Sequence, residues 1–165
     1  MAFGPFFAVP ALIIIFAISV RYKNLIVDAA SKIKIPRIWL ALLTAIPFLI
    51  VEEHINCGAY GCAVVVLPPT IWFLLAEMLV FLFIFQTFHI HKMGWQLATY
   101  GIFGTAFEFF LGSGKTGLHT LASSNPLIFI FMILWICFSY IFLIYFPLII
   151  LNQPGGHKPD NKNAA

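Results

Sequence analysis

Apolar residues in this chain come in long runs, broken by short polar stretches and not by the regular polar stripe of a water-facing helix. Crossing the hydrocarbon core of a bilayer takes about 20 mostly apolar residues, with a range of roughly 17–25. Five segments approach that scale: Phe3 to Val20, Ile38 to His54, Pro69 to His91, Gly94 to Leu111, and Leu127 to Leu151. The fourth is the least hydrophobic and the fifth the most. Pro5, Pro10 and Pro47 fall inside the first two, which membrane helices tolerate because packed neighbours satisfy the freed backbone groups. The pattern predicts an all-α, polytopic membrane bundle of about five transmembrane helices, forming one domain over residues 1–151. A polar tail follows over residues 152–165, where Pro154, Gly155, Gly156 and Pro159 predict disorder.

Between the first two runs, Leu25, Ile26, Ala29, Ile33 and Ile35 alternate with Asp28, Lys32 and Lys34. Two readings fit: a short amphipathic helix lying on the membrane surface, or a solvated basic loop.

Composition agrees with the run lengths. The chain is 62% hydrophobic and 9% charged, with a mean hydropathy of +1.00, against roughly 25% charged residues in soluble domains. So few charges cannot cover a water-facing surface, so an integral, multi-pass membrane protein surrounded by membrane lipid is expected. The first fifteen residues carry no Lys or Arg and no A-x-A-like site follows, so the first segment reads as a retained helix rather than a cleaved leader. The net charge of +3 does not point to nucleic acid, and no nucleic-acid partner is expected.

The positions of the basic residues carry more information than their sum. A five-helix serpentine puts Arg21, Lys23, Lys32, Lys34, Arg37, Lys92, Lys158 and Lys162 on one side and only Lys115 on the other. Basic loops stay cytoplasmic, which places the N-terminus outside and the C-terminus in the cytoplasm. Trp39, Trp72 and Trp95 each fall at a predicted helix start, where amphipathic rings favour the interface.

Acidic residues are the candidate chemistry. Of six Asp and Glu, Glu52, Glu53, Glu77 and Glu108 lie within or at the ends of predicted spans, where an ionised side chain costs at least ~2.5–3.5 kcal/mol at mid-bilayer. By depth, all four converge on the outer half, with His54 beside them and His119 in the outer loop. Glu108 continues a stripe of Ala98, Gly101 and Gly104, and Glu52 one of Ala41 and Ala45. Small residues are where membrane helices approach closely, so both stripes predict carboxylates turned into the bundle. Glu53 lies about 100° further round than Glu52 and must point elsewhere.

Glutamates with histidine suit an acid/base pair, a proton relay, or a divalent metal such as Zn, Mn or Fe with His54 and His119 among its ligands. The plainer account has Glu52, Glu53 and His54 hydrated at the interface, and Glu77 and Glu108 hydrogen-bonded between helices. The Glu-x-x-His signature of di-metal bundles is absent.

Other motifs carry less. Cys57 and Cys62, in Cys-Gly-Ala-Tyr-Gly-Cys, fall in the predicted loop after the second segment, where a disulfide or two free thiols both fit. Cys137 reads as a small apolar residue within the fifth segment. His89 and His91 fall at the inner end of the third segment, two residues apart and so on different helix faces. Gly112-Ser113-Gly114-Lys115-Thr116 lacks the first glycine of a phosphate loop, Phe109 standing there, and follows a helix rather than a strand.

Glu52-Glu53 followed by Cys57-Gly58, then Phe85-x-x-x-His89, resembles a degraded form of the CAAX-protease and bacteriocin-immunity family of membrane metalloproteases. That resemblance implies Glu-Glu-x-x-x-Arg-Gly. Here Cys57 holds the arginine position, His119 and Asn125 are wrongly spaced, and Glu53 and His89 are expected at opposite faces. The Glu-Glu pair at a helix end is also similar to the small membrane carotenoid cyclases. A dipeptide establishes membership of neither. The expected function is a membrane-embedded enzyme acting on a lipid or isoprenoid substrate, with Glu52, Glu53, Glu77 and Glu108 as its carboxylates. An accessory subunit of a larger membrane complex and a small proton- or cation-coupled carrier are the alternatives.

Overall fold

Helices occupy all five of the expected apolar segments in a computed structural model, which describes residues 4–60, 70–112, 119–120, 123 and 125–153. In chain order they are α1 (Gly4–Arg21), α2 (Lys23–Ser31), α3 (Arg37–Tyr60), α4 (Thr70–Thr87), α5 (Met93–Phe110) and α6 (Pro126–Leu151). No strand occurs among the described residues. Over Arg37–Ile55 and Pro126–Leu151, with mean hydropathies of 1.7 and 2.8, α3 and α6 are long and apolar enough to cross a membrane. α1 and α2, bent by 61° at their junction, make a third crossing if taken as one span. The apolar stretch Ile71–Thr87 of α4 is shorter. Five apolar runs thus become five helices, of which two or three qualify as spans by length and composition.

Local chemistry sets several boundaries. α6 starts where Asn125 Oδ1 accepts from the Ile128 N–H (3.2 Å) and Pro126 enters the first turn, a position where its missing N–H costs nothing. α4 stops at Thr87, short of the expected His91. His89 takes a left-handed φ of 51°, and the Ile90 N–H closes back on Phe85 O at 3.0 Å, the helix-ending turn usually made by glycine. His89 and His91 therefore lie beyond the helix, with ring centroids 5.9 Å apart. α3 runs on to Tyr60, so Cys57 and Gly58 are helical and not in a loop. The helix continues because the chain from Val51 to Tyr60 holds no proline to stop it. Cys62, most of the Gly-Ser-Gly-Lys-Thr stretch and the tail from residue 154 lie outside the described residues. Of the two readings for the basic linker, helix prevails: Val27 is half-buried and Ala30 buried, while Lys23, Asp28 and Lys32 face out.

α6 is the hub. It packs against α5 on one side and α3 on the other, and α3 in turn carries α1 and α4. Phe142, Phe146 and Leu148 of α6, Ala41, Ala45 and Leu49 of α3, and Met78 and Leu82 of α4 are wholly buried in the common core. The Phe48 ring stacks on Phe146 at 4.6 Å, and Phe16 packs edge-on against Tyr145 at 5.0 Å. α6 runs antiparallel to both α3 and α5, and α4 antiparallel to α5. At one end the Asn152 Nδ2 donates to Gln96 Oε1 (2.7 Å), and Gln96 Nε2 donates to Ile90 O (2.6 Å). At that same end Arg37 donates to Gln153 O. The described basic residues gather there or on α2 and its linkers, and the intrahelical glutamates lie toward the opposite end. Trp39, Trp72 and Trp95 are all exposed, as belt residues should be.

Candidate functional site

Four glutamates predicted from three different helices meet in one region together with two tyrosines. On α5, Tyr100, Gly104 and Glu108 recur at four-residue spacing and so share a face. Gly104 lets α6 come close: a Cβ there would lie 2.0 Å from Tyr140 Cδ1. At Gly101 a Cβ would lie 2.9 Å from Cys137 Sγ. The small-residue stripe is therefore the α5–α6 contact, and it sets the Tyr140 ring beside Glu108. The Tyr140 hydroxyl donates to Glu108 Oε1 at 3.5 Å, a long bond. The other oxygen lies over Gly112, where a Cβ would stand 2.0 Å from Glu108 Oε2 and 2.7 Å from its Cα.

Glu77 approaches from α4. Both of its carboxylate oxygens are buried without a hydrogen-bond partner among the described residues, as is the Tyr100 hydroxyl. Glu77 lies within electrostatic reach of Glu108, and Glu108 within reach of Glu53. Tyr100 and Tyr140 each feel the charges of Glu77 and Glu52. On α3, Glu52 is buried and Glu53 half-buried, as their angular offset predicts.

Each of the two candidate histidines uses one ring nitrogen on a backbone carbonyl. His54 Nδ1 donates to Ile50 O at 2.7 Å, within its own helix. His119 Nε2 donates to Phe109 O at 3.2 Å while its ring stacks on Phe109 at 4.4 Å. Among the described residues no group of three or more His, Cys, Asp or Glu side chains is arranged to hold a metal ion.

Comparison with family models, with curated proteins and with solved structures finds no match. Geometry alone therefore carries the functional reading.

Beside the carboxylates, α4 and α5 part to leave a groove of about 260 Å³. Phe73, Val80 and Phe81 of α4 and Phe103 and Phe107 of α5 line it, with Ala76 and Glu77 between them. The helices touch through rings: Phe73 on Phe107 at 5.2 Å and Phe81 on Phe103 at 4.7 Å. Since the Glu77 oxygens are buried, the groove meets that side chain along its methylenes, and the carboxylate turns inward to the tyrosines.

The tyrosines are what sequence reasoning missed. Tyr100 carried a usable signal, because it heads the same stripe as Gly104 and Glu108. Tyr140 carried none: it sits in a run of apolar residues, and only the close approach at Gly104 identifies it.

Proposed function

We propose that the chain is a membrane-embedded enzyme that admits an apolar, membrane-dissolved substrate of the lipid or isoprenoid class through the groove between α4 and α5. Glu108 and Glu77 act on it as acid and base. The observation that carries this reading is the pairing of an apolar, aromatic groove with carboxylate and phenol groups buried directly behind its wall. The Tyr140 hydroxyl faces Glu108 at 3.5 Å, and among the described residues Glu77 and the Tyr100 hydroxyl have hydrogen-bonding capacity to spare. A cluster serving only to hold helices together would satisfy these groups internally, because a buried polar atom left unpaired costs about 1–3 kcal/mol. Five crossings, with the N-terminus outside and the glutamates in the outer half, complete the reading. It draws on the antiparallel course of the helices and the segregation of basic residues.

Two experiments test it. Lipid extracts of cells making the wild-type chain should differ by at least one lipid species from those making Glu108→Gln at equal membrane abundance. Identical lipid profiles would defeat the enzyme and leave the accessory-subunit reading. For topology, an impermeant thiol reagent applied to intact cells should label a cysteine placed at Ser113 and miss one at Lys34, and the reverse would invert the orientation.

A further inference from the structure

The groove offers recognition of a particular kind. Its rings, Phe73, Phe81, Phe103 and Phe107, present π-faces and edges within a space of about 260 Å³, room for a compact headgroup or a short branched chain. No Lys or Arg contributes to the lining. Immediately behind it lie the Glu77 carboxylate, without a hydrogen-bond partner among the described residues, and the wholly buried Tyr100, whose hydroxyl also lacks one. Tyr100 is edge-on to Phe81 at 5.2 Å and within electrostatic reach of Glu77, Tyr140 and Glu52, which ties the groove wall to the acidic cluster. Aromatic faces attract cations through their quadrupole. In an apolar surrounding, negative groups one layer behind the wall act over several ångströms with little screening. Both features select the same sign of charge, and the apolar walls select a weakly hydrated ion over a metal.

We infer that the α4–α5 groove binds a lipophilic organic cation, an alkylated ammonium carrying a hydrocarbon tail, with the charged head over the phenylalanine rings in front of Glu77. This rests on the groove being the substrate entrance of the proposed enzyme, and it names the charge of what enters. Toward the bound head the Glu77 side chain supplies electrostatic attraction, and Tyr100 packs between the groove wall and the acidic cluster.

Equilibrium binding of radiolabelled dodecyltrimethylammonium to the full chain in lipid nanodiscs tests this, with empty nanodiscs subtracted. The competitor is the uncharged isostere in which carbon replaces the ammonium nitrogen. Saturable binding at one site per chain is expected, weakened several-fold to roughly tenfold by Glu77→Gln, as loss of a buried charge one layer behind the groove implies. Phe103→Leu should weaken it several-fold, and the neutral isostere should compete poorly. Asp28→Asn, exposed on α2 and outside the acidic cluster, should bind as wild type and controls for general loss of charge. Equal competition by the neutral isostere, with Glu77→Gln unaffected, would overturn the cation inference while leaving the apolar groove, and the enzyme reading, intact. Absence of saturable binding would overturn it too, and the lipid-profile comparison with Glu108→Gln would then decide separately whether the enzyme reading survives.

Discussion

Replacing Gly104 with alanine probes the contact on which the site is built. A single added methyl would stand 2.0 Å from Tyr140 Cδ1, 2.2 Å from Cγ and 2.3 Å from Cε1. Carbon atoms pack at about 3.5–4.0 Å, so ring and methyl must separate by roughly 1.5 Å. Tyr140 is only 4% exposed and its ring is confined by Tyr100 at 5.5 Å, so it has no free direction in which to turn. The helices must part instead, which also loosens the Gly101–Cys137 contact. Overpacking of this kind costs about 1–3 kcal/mol, and a displaced buried ring belongs at the upper end. Alanine returns about 1 kcal/mol of helix propensity relative to glycine. The net expectation is a loss of about 2 kcal/mol, or a fall in Tm of about 4–8 °C for a chain of this size. Thermal unfolding in a mild detergent, followed by circular dichroism, reads it directly. Gly94→Ala is the control, since nothing lies within 4 Å of a Cβ there, and it should be neutral or slightly stabilising. Combining Gly104→Ala with Tyr140→Leu should recover part of the loss, as a non-additive pair in contact must. A Gly104→Ala protein as stable as Gly94→Ala would refute the close α5–α6 approach, and with it the placement of Tyr140 beside Glu108.

Gly112→Ala should displace the Glu108 carboxylate while leaving the α5–α6 seam intact, because the added methyl meets Glu108 Oε2 and Cα rather than α6. The expected result is loss of the Glu108-dependent lipid species with a Tm within a few degrees of wild type, and full activity would show that Gly112 does not position Glu108. At the opposite end, Gln96→Leu should cost about 1–3 kcal/mol by stranding Asn152 Nδ2 and Ile90 O. Gln96→Leu with Asn152→Leu should cost less than the two single changes summed, and simple additivity would mean that the bond contributes nothing.

How much of this was legible before any coordinates depended on whether a feature was local. Run length located five helices among the described residues, of which two or three are long and apolar enough to span, and the Ala41–Ala45–Glu52 and Gly101–Gly104–Glu108 stripes turned Glu52 and Glu108 toward neighbouring helices. Those signals repeat along one helix and need no partner to be read. Boundaries failed where a turn was closed by an unusual residue. Left-handed geometry at His89 gave no warning, since glycine or asparagine ordinarily marks that turn. A loop after His54 looked natural because polar residues begin there, yet α3 continues through Cys57. The histidines show the same dependence on a partner that the sequence does not name. His54 and His119 are candidate ligands in sequence, and one ring nitrogen of each bonds to a nearby backbone carbonyl.

What could not be read is the partner across a contact, and that is where the site's character is decided. Glu108 alone is an expensive carboxylate; Glu108 beside a tyrosine that only a glycine admits is a carboxylate with a placed neighbour. The same logic applies on α4. Ile71, Leu74, Met78, Leu82 and Phe85 are buried in the core, while Phe73, Glu77 and Phe81 recur every four residues along a different face, the one that turns to the groove. A helix serving only to fill the bundle would gain nothing from a carboxylate there, and leucine would pack as well without desolvating a charge. Three helices nevertheless bring glutamates to this one region, and a fourth, α6, contributes Tyr140. The sequence tolerates that desolvation while keeping the remaining groove lining aromatic and apolar. Such a combination is unfavourable for a bundle in isolation, and the proposed entry of a substrate between α4 and α5 would offset it.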